Sequence, residues 1–270
     1  MKNRLFPILP LALCALLATP AMAGDGALER ARQRGKLVAG LAWVPPAYAA
    51  GAKFRTPESV DGALAAEVAK VLKAELQTVA APAERRAGVL EAGQADLVLA
   101  TLPGRDALRQ PARLVPTGYV AAPMAIMRTD TSIKNWRHLK GRTVCLSEGS
   151  LYAGTLAKRY GAIEMPFKAP ADSLMALRIG TCDAAVHDSA MLEELLKLPE
   201  WKKFSARLPA DGAGADLMFA LPAGDARSEA ALKKIVAAWQ AEGYLKQLMN
   251  KTARSIAFEV YLDQDVPDCH

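Results

Sequence analysis

A phrase that occurs twice sets the strongest limit on how this chain folds. The first copy is Leu90-Glu-Ala-Gly93-Gln-Ala-Asp96-Leu-Val98. The second is Leu177-Arg-Ile-Gly180-Thr-Cys-Asp183-Ala-Ala-Val186, with Leu, Gly and Asp at matching offsets. Each follows a helical pattern and runs into an apolar stretch, so each predicts a helix that stops at glycine, a turn and a buried strand. Val186 falls where the first copy has Leu99. Joints of this kind occur throughout α/β proteins, and two of them placed centrally in two halves predict two lobes of like construction.

The rest of the pattern is consistent with that frame. Lys36 to Gly40 predicts a first strand, and Gly62 to Leu76 a helix with Leu64, Val68, Leu72 and Leu76 on one face. Tyr119 to Arg128 is apolar and strand-like after a proline-punctuated stretch from Pro103 to Pro116, and Asp216 to Pro222 is similar after the loose Ala210 to Gly214. Two such runs predict two crossings between lobes. Ser228 to Asn250 has Leu232, Ile235, Val236 and Trp239 on one helical face and is expected to return to the first lobe. The expected organisation is a signal peptide at 1–23, a discontinuous first lobe at 24–120 plus 215–258, a second lobe at 123–212, and a tail at 259–270.

The N-terminus is an address. Lys2 and Arg4 precede an apolar run from Leu5 to Ala18, and Ala21-Met-Ala23 offers a cut before Gly24, the layout of a secretory signal. Pro7 and Pro10 interrupt the run, which is also short for a membrane span. Cys14 lies inside it with Leu13 before it, which favours a soluble product over a lipid anchor. Export predicts a periplasmic location. A hydrophobic fraction of 51% indicates a globular domain. The net charge of +6 is scattered rather than clustered, and together with export it argues against nucleic acid as partner. Cys145, Cys182 and Cys269 survive cleavage into an oxidising compartment, so at least one stays unpaired within the chain.

Several phrases, in order, resemble the bacterial extracellular solute-binding proteins of family 3. Leu28 to Val38 is similar to that family's opening helix and strand, and Trp136 to Ser150 to its entry into the second lobe. Trp239-Gln-Ala-Glu-Gly-Tyr244 resembles its closing helix. The resemblance spans nearly all of the mature chain. It implies a two-lobed type II periplasmic-binding-protein fold, each lobe a mostly parallel sheet flanked by helices. It also implies capture of a small amino-acid-like ligand for an inner-membrane ABC transporter permease, by a monomer without cofactor.

Such a ligand presents a carboxylate and an ammonium together. The resemblance assigns Arg105 to the carboxylate, where a guanidinium fork fits. Ser150, after Gly149, is expected where a strand gives way to a helix, either facing an anion or serving as an N-cap. Asp188, at the end of a strand, resembles the family aspartate that accepts the ammonium, with a turn cap as the alternative. Thr101 is expected to offer a hydroxyl, and Trp43 to cover the ligand or to pack in the first lobe. The side-chain pocket departs from common members, because Gly40 replaces an acidic residue and Glu84-Arg85-Arg86 follows Ala83 where a second aromatic is expected. By the same resemblance Cys145 and Cys182 sit on neighbouring strands and are expected to form a disulfide rather than two buried thiols.

Catalysis and metal binding find little support. Among His138, His187 and His270 no metal or hydrolase motif is present. Neighbours on a strand face opposite ways, so His187 and Asp188 are not expected to share a site. The rival reading is a periplasmic dehydratase on the same fold, acting on cyclohexadienyl substrates such as arogenate, with Glu84 or Glu148 as a buried proton donor. A third is a ligand-sensing partner of a membrane receptor.

Overall fold

The computed structural model describes residues 25–44, 53–102 and 106–264. Along the chain these form α1 (Ala27–Gln33), β1 (Lys36–Leu41), α2 (Asp61–Leu72), β2 (Glu75–Ala80), α3 (Arg86–Glu91), β3 (Leu97–Thr101) and β4 (Arg113–Ala121). Next come β5 (Pro123–Met127), β6 (Thr143–Ser147), α4 (Thr155–Tyr160), β7 (Ile163–Phe167), α5 (Pro170–Arg178), β8 (Ala184–Asp188), α6 (Ser189–Leu195) and β9 (Ala206–Leu208). The chain closes with β10 (Ala215–Leu221), α7 (Ala226–Glu242) and α8 (Tyr244–Leu262).

Two five-stranded sheets result, ordered β2-β1-β3-β10-β4 and β7-β6-β8-β5-β9. In each, three parallel strands are followed by an antiparallel one: β10 in the first sheet and β5 in the second, each entering just after a crossing. The two sheets are thus built to one plan, as the repeated phrase requires. Pro116 is tolerated in β4 because that strand lies at a sheet edge, beside a register irregularity in β10.

The repeat has a physical reason. Gly93 and Gly180 both take positive φ, at 64° and 82°, which a glycine adopts without strain. Asp96 and Asp183 then open the third parallel strand of their sheets. Asp96 Oδ2 accepts the Val38 N–H at 2.8 Å while its own N–H donates to Val38 O at 2.8 Å. Asp183 does the same with Thr143, at 2.9 Å in both directions. Each carboxylate is also paired with an arginine, Arg34 or Arg142. One side chain thereby locks two strands at the point where their ladder begins, and hydrogen bonds to a charged acceptor are worth ~1.5–3 kcal/mol.

Three expectations need correction. The helix predicted to run to Leu76 stops at Leu72, because Lys73 adopts the left-handed conformation at φ 54° and Leu76 joins β2 beside β1. The helix expected over Ser228–Asn250 is two helices, broken at Gly243 with φ 64°. Only the first lies on the first sheet, where α7 packs against β4 and α1. Helix α8 packs against α5 and α6 of the second sheet, and Asn250 donates to Glu194 across that contact at 3.2 Å. The chain therefore passes between the two bodies at Ala122, between β9 and β10, and again at Gly243.

Cys145 and Cys182 form the expected disulfide, joining β6 to the residue just before Asp183. No helix among the described residues is long and apolar enough to cross a membrane. The signal segment, Cys14, Cys269 and His270 lie outside the described residues.

Candidate functional site

The parallel strands of both sheets end toward one cleft, the place where open α/β sheets bind ligands. From the first body come Ala42 and Trp43 after β1, Thr101 at the end of β3, and the segment Pro57–Asp61 leading into α2. From the second come Ser147 at the end of β6, the turn Glu148–Tyr152, and Asp188 at the end of β8. The sequence singled out Trp43, Thr101, Ser150 and Asp188, and all four line this cleft. Arg105 lies outside the described residues.

Asp188 is the centre of the arrangement. It is 6% exposed and accepts the Ala122 N–H at 3.2 Å and the Tyr152 hydroxyl, with the Tyr119 phenol also facing it. Burial, and next the charge of Glu58, raise its pKa from 3.8 to about 6, against the pull of these donors. The same desolvation and the carboxylate charge push both phenols strongly upward, so they remain neutral donors.

Glu58 reaches this point from the first body, 130 residues away in sequence. Its Oε1 accepts the Asp188 N–H at 3.2 Å and lies 3.2 Å from His187 Nδ1. Its side chain is 8% exposed and its Oε2 is buried without a hydrogen-bond partner. The side chains of His187 and Asp188 diverge and only Asp188 lines the cleft, while Glu58 lies over the strand end and meets the His187 ring and the Asp188 backbone N–H. His187 Nε2 is 2.6 Å from Ser173 Oγ, which completes the order serine, histidine, carboxylate. Ser173 is fully buried and does not line the cleft, so this order orients His187 and offers no accessible nucleophile.

Asp61, 5% exposed, adds a third buried carboxylate to the cleft. Burial raises it, only partly offset by Ser59 and the Gly62 N–H. Ser147 Oγ, on the opposite wall, is buried and has no partner. Arg86 also lines the cleft, but it is ion-paired with Asp106 and burial lowers its basicity.

Ser150 differs from its expected setting. Its N–H donates to Ser147 O at 3.1 Å and its hydroxyl accepts the Tyr152 N–H at 3.2 Å. It shapes a turn, since α4 begins only at Thr155 behind the left-handed Gly154. Trp43 packs its ring against Gly149, so close that a Cβ there would stand 2.6 Å from Trp43 Cγ. Gly149 has φ +73°, and only glycine suits both its backbone and this approach of the two bodies. Glu84 and Glu148, proposed as buried proton donors, are both exposed. Among the described residues no group of three or more His, Cys, Asp or Glu is placed to hold a metal ion.

No protein-family model matches the chain. It is 26% identical over 190 residues to a glutamine-binding protein of Geobacillus stearothermophilus, covering 67% of this chain and 71% of that one. An ancestral cationic amino acid solute-binding protein superposes with a TM-score of 0.61 at 18% identity, over 84% of this chain and 99% of the other. An amino acid ABC transporter substrate-binding protein from Streptococcus pneumoniae, bound to L-arginine, gives 0.57 at 18% identity, over 85% and 98%. These structures establish the two-lobed binding-protein fold, and with the sequence match they bear out the resemblance to family 3.

Proposed function

We propose that this chain is a periplasmic solute-binding protein that captures a small amino-acid-like ligand between its lobes and delivers it to an inner-membrane ABC transporter. The observation that carries this reading is the meeting of Asp188 and Glu58, carboxylates from opposite bodies, in a cleft at the strand ends. Two buried carboxylates brought together are unfavourable, and a ligand ammonium set between them relieves both at once. Arg105, one loop away from Thr101, would take the ligand carboxylate. Trp43, Thr101 and Ser150 complete the enclosure. Contacts made to both lobes favour the closed state, which is how binding becomes a shape that a permease reads. The solute-binding proteins to which the chain is similar support the same reading.

A thermal-shift screen of the mature chain against amino acids, polyamines and small carboxylic acids tests it. A ligand present at 1,000 times its Kd stabilises the protein by about 4 kcal/mol. Stabilisation confined to amino acids and related amines supports the reading, and silence across the panel refutes it.

One observation keeps the dehydratase alternative under test. Asp188 is a buried cleft acid with a pKa near neutrality, as a proton donor requires. Turnover of arogenate or prephenate would establish that alternative.

A further inference from the structure

The charge of the cleft points beyond a generic amino acid. Three buried carboxylates line it: Glu58 and Asp61 from the segment leading into α2, and Asp188 at the end of β8. Glu58 accepts the Asp188 N–H and its charge acts on the Asp188 carboxyl, while Asp61 lines the cleft from the first residue of α2. Of the described bases near these carboxylates, Arg86 is already neutralised by Asp106, Lys168 is exposed, and His187 Nδ1 lies 3.2 Å from Glu58 Oε1 behind the cleft, leaving Asp188 and Asp61 with no paired base among the described residues. Two buried side-chain oxygens, Glu58 Oε2 and Ser147 Oγ, have no hydrogen-bond partner among the described residues, and both residues line this same cleft.

Resting on the functional reading above, we propose that Asp61 is a specificity-determining residue, and that the cleft selects ligands bearing two cationic groups. The first group, an ammonium, sits between Glu58 and Asp188. The second, at the far end of the ligand, is held by Asp61. A basic amino acid and a diamine both satisfy this pattern. A neutral side chain would leave Asp61 buried and uncompensated, which selects against it.

The direct test is isothermal titration of the mature chain with isosteric pairs: L-arginine against L-citrulline, and L-lysine against L-norleucine, with putrescine as the diamine. The charged member of each pair is expected to bind roughly a hundredfold tighter, since an uncompensated buried charge costs several kcal/mol. Asp61→Asn, with folding checked by thermal melts, should lower the arginine-to-citrulline affinity ratio by roughly tenfold or more, whereas Glu58→Gln should weaken both ligands, which share the ammonium it holds. An Asp61→Asn variant that weakens both ligands in parallel and leaves the ratio in place overturns the proposal. Tighter binding of citrulline or norleucine overturns it as well, while leaving solute capture intact. Failure of every amino acid and amine to bind instead overturns the functional reading. Putrescine binding that falls with Asp61→Asn supports the two-cation pattern.

Discussion

Replacing Asp188 by Asn should stabilise the ligand-free protein while abolishing its function. In the folded chain the carboxyl titrates at about 6 instead of 3.8, because it is buried and faces Glu58. A raised carboxyl pKa contributes stability that is fully present below 3.8 and lost as pH rises through about 6. At neutral pH the ionised group therefore costs the fold up to about 3 kcal/mol, from roughly two pKa units at 1.36 kcal/mol each. The Ala122 N–H and the Tyr152 hydroxyl both bond to one carboxylate oxygen, Oδ1, and an asparagine carbonyl still accepts from both, so these hydrogen bonds are kept and the charge cost is removed. For a chain of this size the gain corresponds to roughly 6–12 °C in melting temperature. Thermal melts of both proteins from pH 3.5 to 8 are the assay. The two curves should coincide near pH 3.5 and separate through pH 6, with the variant above. A variant that is less stable than the parent at every pH refutes the argument.

Other outcomes follow from the same geometry. Arginine affinity should fall roughly tenfold from pH 7 to pH 5, because the ligand stays cationic while Asp188 must shed its proton before binding; calorimetry at the two pH values checks this. Cys182→Ala opens a loop of 37 residues and should cost about 4 kcal/mol in urea unfolding, on the chain-entropy account. Gly149→Ala puts a methyl into the Trp43 ring at a positive-φ position, so ligand affinity should drop at least roughly tenfold with a stability loss of only about 1 kcal/mol; calorimetry and thermal melts separate the two effects. Arg105→Ala should cost on the order of 2–5 kcal/mol of binding, with Lys recovering only part of it.

What could be read from the sequence followed local rules. The twice-used Leu-Gly-Asp phrase was legible because its parts act within a few residues: glycine turns the chain and aspartate seizes the backbone of the neighbouring strand. Asp188, Thr101 and Trp43 were legible because strand ends are recognisable and the α/β fold sends strand ends to the cleft. The helix end at Leu72 was not, since Leu76 continued the spacing while a left-handed Lys73 had already ended the helix. The position of α8 was hidden because one periodic face does not say which sheet it covers. Glu58 left no signal at all. It lies in an irregular segment, and its importance arises only from meeting His187 and Asp188 across 130 residues. Arg86 appeared in a charged run, where solvation is the ordinary outcome, yet it is buried beside Asp106.

The account turns on capture between two lobes. Small-angle scattering of the mature chain, with and without saturating ligand from the screen, measures that directly. A contraction of the radius of gyration at one ligand per chain is expected, absent in Asp188→Asn at the same ligand concentration. Saturable binding that leaves the scattering curve of the parent protein unchanged would contradict it.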